Sequence, residues 1–154
     1  MASIRSVNTV PELLLRAALR TAGATGYRLH RRDVPGRPDV VFLRWRTAVF
    51  VDGVFWHGHP DHWRPDRASE YWRAKISRTM ERDRAANVAL AEAGWQVVRF
   101  WDLDVKADPA ACANAVVEVL RGRGWRPAAS RLDGEVQRQV GDVPKPLAVD
   151  EDLQ

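Results

Sequence analysis

One cysteine, Cys112, stands in the whole of the 154 residues, so no disulfide can form within the chain. No stretch reaches the run of about 18 apolar residues that a membrane-spanning helix needs, and no segment has the charged, apolar and small-residue succession of a signal peptide. Internal repeats are also missing. A disulfide-stapled secreted module, a membrane protein and a repeat array are thereby set aside, and a cytoplasmic protein without a membrane partner is expected. What remains is a chain with 45% hydrophobic residues, enough for a core, and of a length that suits one domain.

Negative charge is scarce over most of the chain. The net charge is +4, but residues 142–154 hold Asp142, Asp150, Glu151 and Asp152 against Lys145, a local −3 that leaves +7 on residues 1–141. A basic domain with seven tryptophans can both neutralise phosphates and stack on bases, so nucleic acid is the first partner to consider. Charge alone leaves a basic protein with no anionic partner equally open.

Periodicity orders the elements. "VPELLLRAALRTAG" (10–23) reads as a helix with Leu14, Ala17, Ala18 and Thr21 on one face and Gly23 as its stop. "TGYRLHRRD" (25–33) reads as a strand entering the turn "VPGRPD" (34–39). Two apolar runs, 39–43 and 48–52, flank "RWRT" as an antiparallel hairpin requires. After a loop rich in His, Pro and Asp, Ser69 can cap a long helix running to about Ala93, with Gly94 at its end. On that helix Trp72, Ile76 and Met80 form an inward seam, and Lys75, Arg78 and Arg82 a neighbouring cationic stripe. Residues 95–103 make a strand free to pair in parallel, and 108–122 a closing helix. The expectation is an α/β fold, a mixed central sheet flanked by helices, over residues 1–122, with a loose tail over 123–154.

Two carboxylates frame the hairpin. Asp39 opens its first strand and Asp52 closes its second, so both should meet at one sheet edge. Converging carboxylates bind a hard divalent cation, usually Mg²⁺, which takes phosphate oxygens as further ligands. Two ordinary turn aspartates are the alternative. His57, five residues after Asp52, adds a group able to take a proton from an attacking water near neutral pH.

At this point a succession of motifs, "NTVPELLLRAAL", "YRLH", "PGRPDVVF", "VFVDGVFWHGH", "EYWRAKI", "ERDR" and "GWQVVRFWD", resembles the very short patch repair (Vsr-type) mismatch endonucleases over about residues 5–105. The resemblance implies a restriction-endonuclease-like fold of the PD-(D/E)XK type. It also implies Mg²⁺-dependent nicking of one strand of duplex DNA beside a mismatched, typically T:G, pair, and a monomer is expected. Carried over by position, Asp39 matches a metal-binding aspartate, the backbone carbonyl of Val51 a further metal ligand, and His57 the histidine that activates water. Glu12 matches a helix carboxylate supporting the site, although a Glu in a first helical turn has a structural reading of its own. Asp52 departs from the family, which commonly has histidine there; an aspartate makes the site more acidic and should strengthen Mg²⁺ binding.

By the same resemblance Phe55, Trp56 and Trp72 form a wedge that enters the base stack beside the mismatch, where unstacking costs least. Core packing is the competing role for any tryptophan, and it is the one expected for Trp45, Trp95 and Trp101. Lys75, Arg78 and Arg82 are candidate phosphate contacts, with solvated helix charges as the alternative. The family often carries a structural zinc held by three Cys and one His. Here those positions read Val54, His59, Asp61 and Leu103, so no structural Zn²⁺ is expected. A restriction-type or general nuclease of the same fold, and a module that binds distorted DNA without cutting it, remain the alternatives.

Overall fold

The structure, a computed structural model, describes residues 7–128. In chain order it contains α1 (Val10–Thr21), β1 (Arg28–Leu29), β2 (Val40–Phe42), β3 (Thr47–Asp52), α2 (Glu70–Glu92), β4 (Gln96–Trp101), α3 (Asp102–Ala107) and α4 (Pro109–Gly122). The strands form one mixed sheet in the order β1-β2-β3-β4. The first two pairings are antiparallel and β3 with β4 is parallel, as the helical crossover through α2 requires.

Strand alternation divides the core. Val40, Phe42 and Val49 point to one side, where they meet Leu15 and Leu19 of α1, Val105 of α3, and Val116, Val117 and Leu120 of α4. Val41, Ala48 and Phe50 point to the other side, against Leu90 of α2 and Val34. The result is a sheet with helices on both faces, and the central strands are apolar at nearly every position because both their faces are covered.

The expected face of α1 was displaced around the helix. Leu14 is 37% exposed, whereas Pro11, Glu12, Leu15, Arg16 and Leu19 are buried. This is a proper helical stripe, hidden in the sequence because two of its members are charged. Glu12 turns back to accept hydrogen bonds from the Asn8 backbone N–H (2.9 Å) and the Thr9 hydroxyl (3.1 Å), a variant of the capping box. Arg16 donates to Asn8 Oδ1 at 2.9 Å.

Other boundaries also moved. The strand expected over 25–33 shrinks to Arg28–Leu29, and the strand expected to reach residue 103 ends at Trp101, where α3 begins. Helix α2 starts as expected, with Ser69 Oγ accepting from the Trp72 N–H. Its seam is narrower than expected: Ile76 is fully buried, but Trp72 and Met80 are only half-buried. The packed body runs past residue 122, because Trp125 is buried in the core beside α4. The rest of the expected tail, residues 129–154, lies outside the described residues.

Candidate active site

A cleft of about 730 Å³ opens at the C-terminal end of β3, lined among others by Glu12, Asp39, Val51, Asp52, Trp56 and His57. Its position depends on two glycines. Gly36 has φ +78°, and a Cβ there would lie 2.9 Å from the Ala86 Cβ and 3.1 Å from the Phe50 ring, so the turn can press against α2 and β3 only without a side chain. Gly58 has φ +69°, and a Cβ there would lie 2.6 Å from Met80 Sδ. The first glycine precedes Asp39 and the second follows His57.

Asp39 sits just ahead of β2, and its Oδ2 accepts a 2.6 Å hydrogen bond from the Val51 N–H. Burial pushes its pKa up to about 7, and the carboxylates of Glu12 and Asp52 add to the rise against the pull of Val51 N–H and His57. Such a group gains from a cation beside it. Among the described residues, one group of three or more acidic, His or Cys side chains converges within 4.8 Å, and it consists of Glu12, His30 and Asp39. His30 Nε2 is buried with no hydrogen-bond partner. Two hard oxygen donors and an unpartnered nitrogen facing one another fit a divalent cation.

Asp52 lines the same cleft but is engaged elsewhere. Alternation along β3 turns it toward the α2 side, the side of Phe50, and there both its oxygens accept from Arg99 Nη1 at 3.0 and 2.9 Å. Arg99 itself lies over the Phe50 ring at 4.0 Å. Asp39 and Asp52, expected to share a metal, line one cleft and the charge of Asp52 acts on Asp39; the three-residue group that converges at Asp39 consists of Glu12 and His30 with it, and Asp52 is paired with Arg99. Proximity at the strand ends does not show that Arg99 of β4 would pair with Asp52.

His57 joins this second group. Its Nδ1 lies 2.6 Å from Asp83 Oδ2 and 3.8 Å from Asp52 Oδ1. Burial alone would lower its pKa, but the hydrogen bond to Asp83 and the charges of Asp52 and Asp83 outweigh that, holding it above the ordinary 6.5. With Nδ1 committed to Asp83, Nε2 is the atom free for proton transfer. His57, Asp83, Asp52 and Arg99 line a smaller hollow of about 250 Å³ that adjoins the cleft through residues common to both.

Beyond the carboxylates lies an aromatic cluster. Phe55, Trp56 and Trp72 meet with ring centroids 5.2 to 5.6 Å apart, so the loop after β3 and the start of α2 do bring the three together. Trp63 lies 6.3 Å from Phe55 and Tyr71 lies 5.3 Å from Trp72, and neither was singled out by sequence. Phe55 is 42% exposed and Tyr71 62%, which is unusual for rings in a cluster of this size. Lys75 Nζ stands over Trp56 and Trp72 at 5.2 and 5.3 Å, a cation–π arrangement. Lys75, Arg78 and Arg82 line one shallow groove with Tyr71 and Glu81.

The other tryptophans differ. Trp45 and Trp95 are half-buried against the two cores, as expected, whereas Trp101 packs edge-on against the His59 ring at 4.6 Å. At the remaining positions where the family often carries zinc, the Val54 N–H donates to Asp102 Oδ1 at 3.3 Å and Leu103 is 42% exposed. His59 Nδ1 accepts from the Asp61 N–H at 3.1 Å.

Comparison with known proteins gives this arrangement a context. Residues 1–64 match the family described as DNA mismatch endonuclease Vsr. The chain is 42% identical over 129 residues to the type II nicking enzyme V.NaeI of Lentzea aerocolonigenes, covering 78% of this chain and 74% of that one. The chain belongs to the Vsr family of DNA endonucleases. It is also 38% identical to the type II nicking enzyme V.NmeDIP of Neisseria meningitidis serogroup C, over 80% of this chain and 84% of the relative. To the DNA mismatch endonuclease Vsr of Escherichia coli (strain K12) it is 33% identical, over 78% of each.

The Vsr family match spans Glu12, His30, Asp39, Asp52 and His57, whereas Asp83 and Arg99 lie beyond it. Three residues of the site were missed by sequence reasoning: His30, Asp83 and Arg99. Each lay inside or beside a quoted motif, "YRLH", "ERDR" and "GWQVVRFWD", but nothing in a linear pattern says that a helical Asp will meet a loop His. Among the described residues no helix is long and apolar enough to cross a membrane.

Proposed function

We propose that this Vsr-family protein is a Mg²⁺-dependent endonuclease of restriction-endonuclease-like, PD-(D/E)XK fold that nicks one strand of duplex DNA at or beside a mismatched, T:G-like pair. The observation that carries this reading is the juxtaposition of a cation-fitting cluster at Asp39 with an aromatic cluster of exposed Phe55 and half-buried Trp56 and Trp72 near the end of β3. Hydrolysis needs the first and entry into a weakened base stack needs the second.

In this reading Asp39 and Glu12 hold the cation, with the Val51 carbonyl as a further donor. When bound, the cation supplies positive charge to the scissile phosphate and lowers the pKa of water. His57 takes the proton of the attacking water at Nε2, while Asp83 fixes the ring through Nδ1. Asp52 and Arg99 form a neutralised pair beside it, so Asp52 acts by setting the field around His57. Phe55 and Trp56 press into the stack, Trp72 backs them, and Lys75, Arg78 and Arg82 contact phosphates from α2. The positions Val54, His59, Asp61 and Leu103 hold no structural zinc in this account, since valine and leucine offer no ligand atoms.

The relatives named as type II nicking enzymes favour one second reading: a nick directed by sequence, with no mismatch required. Asp39→Ala tests the site in either case. Nicking should be lost while affinity for a T:G duplex stays within a few-fold, because the carboxylate is a cation ligand and not a stacking group. A variant that cuts at the wild-type rate would end the assignment.

A further inference from the structure

We propose that His30 supplies a nitrogen donor to the cation held by Asp39 and Glu12, which gives the site a preference for Mn²⁺ over Mg²⁺. The proposal rests on the metal-dependent reading above and adds a ligand to it.

The sheet delivers His30 to this place. Leu29 pairs with Val40, so the next residue out from each is His30 and Asp39, and the His30 N–H reaches the Asp39 carbonyl at 3.5 Å. His30 then adopts φ +47°, a left-handed conformation uncommon outside glycine, though histidine takes it more readily than most side chains. In that conformation the imidazole is inserted between the two carboxylates: Nε2 lies 3.4 Å from Glu12 Oε2, and Nδ1 lies 3.9 Å from Asp39 Oδ1. Unusual backbone geometry of this kind persists where the surrounding structure holds it, and it clusters at functional sites.

The hydrogen-bond inventory points the same way. A histidine packed for structure ordinarily satisfies its buried nitrogens, yet His30 Nε2 is buried and makes no hydrogen bond, its contact with Glu12 Oε2 at 3.4 Å lacking the geometry of one. Asp39 Oδ2 is engaged by the Val51 N–H, which leaves Oδ1 toward the imidazole. One ligand atom from each of Glu12, His30 and Asp39 falls within the same 4.8 Å, the spacing that a single ion can bridge. Mg²⁺ takes oxygen ligands almost exclusively, whereas an imidazole in the set favours first-row transition ions. Mn²⁺ is the member of that series that also accepts carboxylates and phosphate.

Mn²⁺ titrated into the metal-free full chain provides the test, read by pulsed electron paramagnetic resonance and by competition with Mg²⁺. The bound ion should show nitrogen modulation, which changes isotope pattern when the protein's histidines carry ¹⁵N. His30→Asn tolerates the left-handed backbone and should abolish the nitrogen signal while weakening Mn²⁺ binding about tenfold, with Mg²⁺ binding little changed. In His57→Gln, which also covers the case of a His30 variant that does not fold, the nitrogen signal should persist. Bound Mn²⁺ without nitrogen modulation, or a signal that survives His30→Asn or vanishes in His57→Gln, overturns the proposal and leaves the carboxylate site standing. Undiminished Mn²⁺ binding by Asp39→Ala would instead overturn the metal site itself.

Discussion

Replacing Asp39 with asparagine should destroy nicking yet make the metal-free protein more stable at pH 8. Asp39 has an ordinary pKa of 3.8 when the chain is unfolded and about 7 when folded, chiefly through burial. Between those values the folded state binds a proton that the unfolded state has released, so stability falls as pH rises from about 4 and levels off above about 7. At about 1.4 kcal/mol per pH unit the full span comes to roughly 4 kcal/mol. The side chain is 17% exposed, and screening by the water that reaches it reduces this to roughly 2 kcal/mol. Asparagine keeps an oxygen for the Val51 N–H and carries no charge. The variant should therefore melt roughly 6–10 °C above the wild type at pH 8 in chelator, for a body of this size, and match it near pH 4. Adding Mg²⁺ at pH 8 should raise the wild type alone. Thermal unfolding followed by circular dichroism across this pH range reads all three effects. Equal melting temperatures at pH 8, or a difference that persists unchanged at pH 4, would refute the argument that the buried carboxylate is held ready for a cation.

Three further outcomes follow from the same geometry. Asp83→Asn removes the charge and most of the acceptor strength that hold the His57 pKa above 6.5, so the acid limb of the nicking rate should move to lower pH and the plateau should drop roughly tenfold or more; an unmoved limb would free His57 from Asp83. Phe55→Ala and Trp56→Ala should each reduce the preference for mismatched over matched duplex more than total affinity, which phosphate contacts supply; equal losses on both duplexes in a binding titration would return these rings to general stacking. Chelation should stop nicking reversibly, with Mg²⁺ alone restoring both activity and melting temperature, because a structural zinc contributes on the order of 10 kcal/mol to folding; stoichiometric zinc by elemental analysis, needed for refolding, would contradict this.

The sheet was legible because its strands declare themselves twice, by apolar runs and by the turn chemistry between them. The hairpin register that sets Val40 against Val49 needed only those two signals. Helix α1 was harder: its buried stripe includes Glu12 and Arg16, so hydrophobic periodicity pointed to the wrong face. Trp125 was assigned to a tail because no period follows residue 122, yet one large ring filling the end of the core needs no periodic partner. Asp39 and His57 stood out by motif and strand position, and both line the cleft at the end of β3. The pairing of His57 with Asp83, and of Asp52 with Arg99, joins residues 26 and 47 positions apart. Such contacts are decided by how α2 and β4 cross the sheet, which local spacing does not encode. His30 was hidden for a different reason, since its place beside Glu12 and Asp39 follows from the pairing of β1 with β2 and a positive φ, neither of which its motif spells out.

Cleavage directed by a weakened base pair is tested most directly by end-labelled duplexes identical except for a single T:G or T:A pair, incubated with the purified full chain with and without Mg²⁺. A nick should appear in one strand of the T:G duplex only, and only with Mg²⁺. Equal nicking of the T:A duplex, or retention of the T:G duplex without any cut at saturating Mg²⁺, would contradict it.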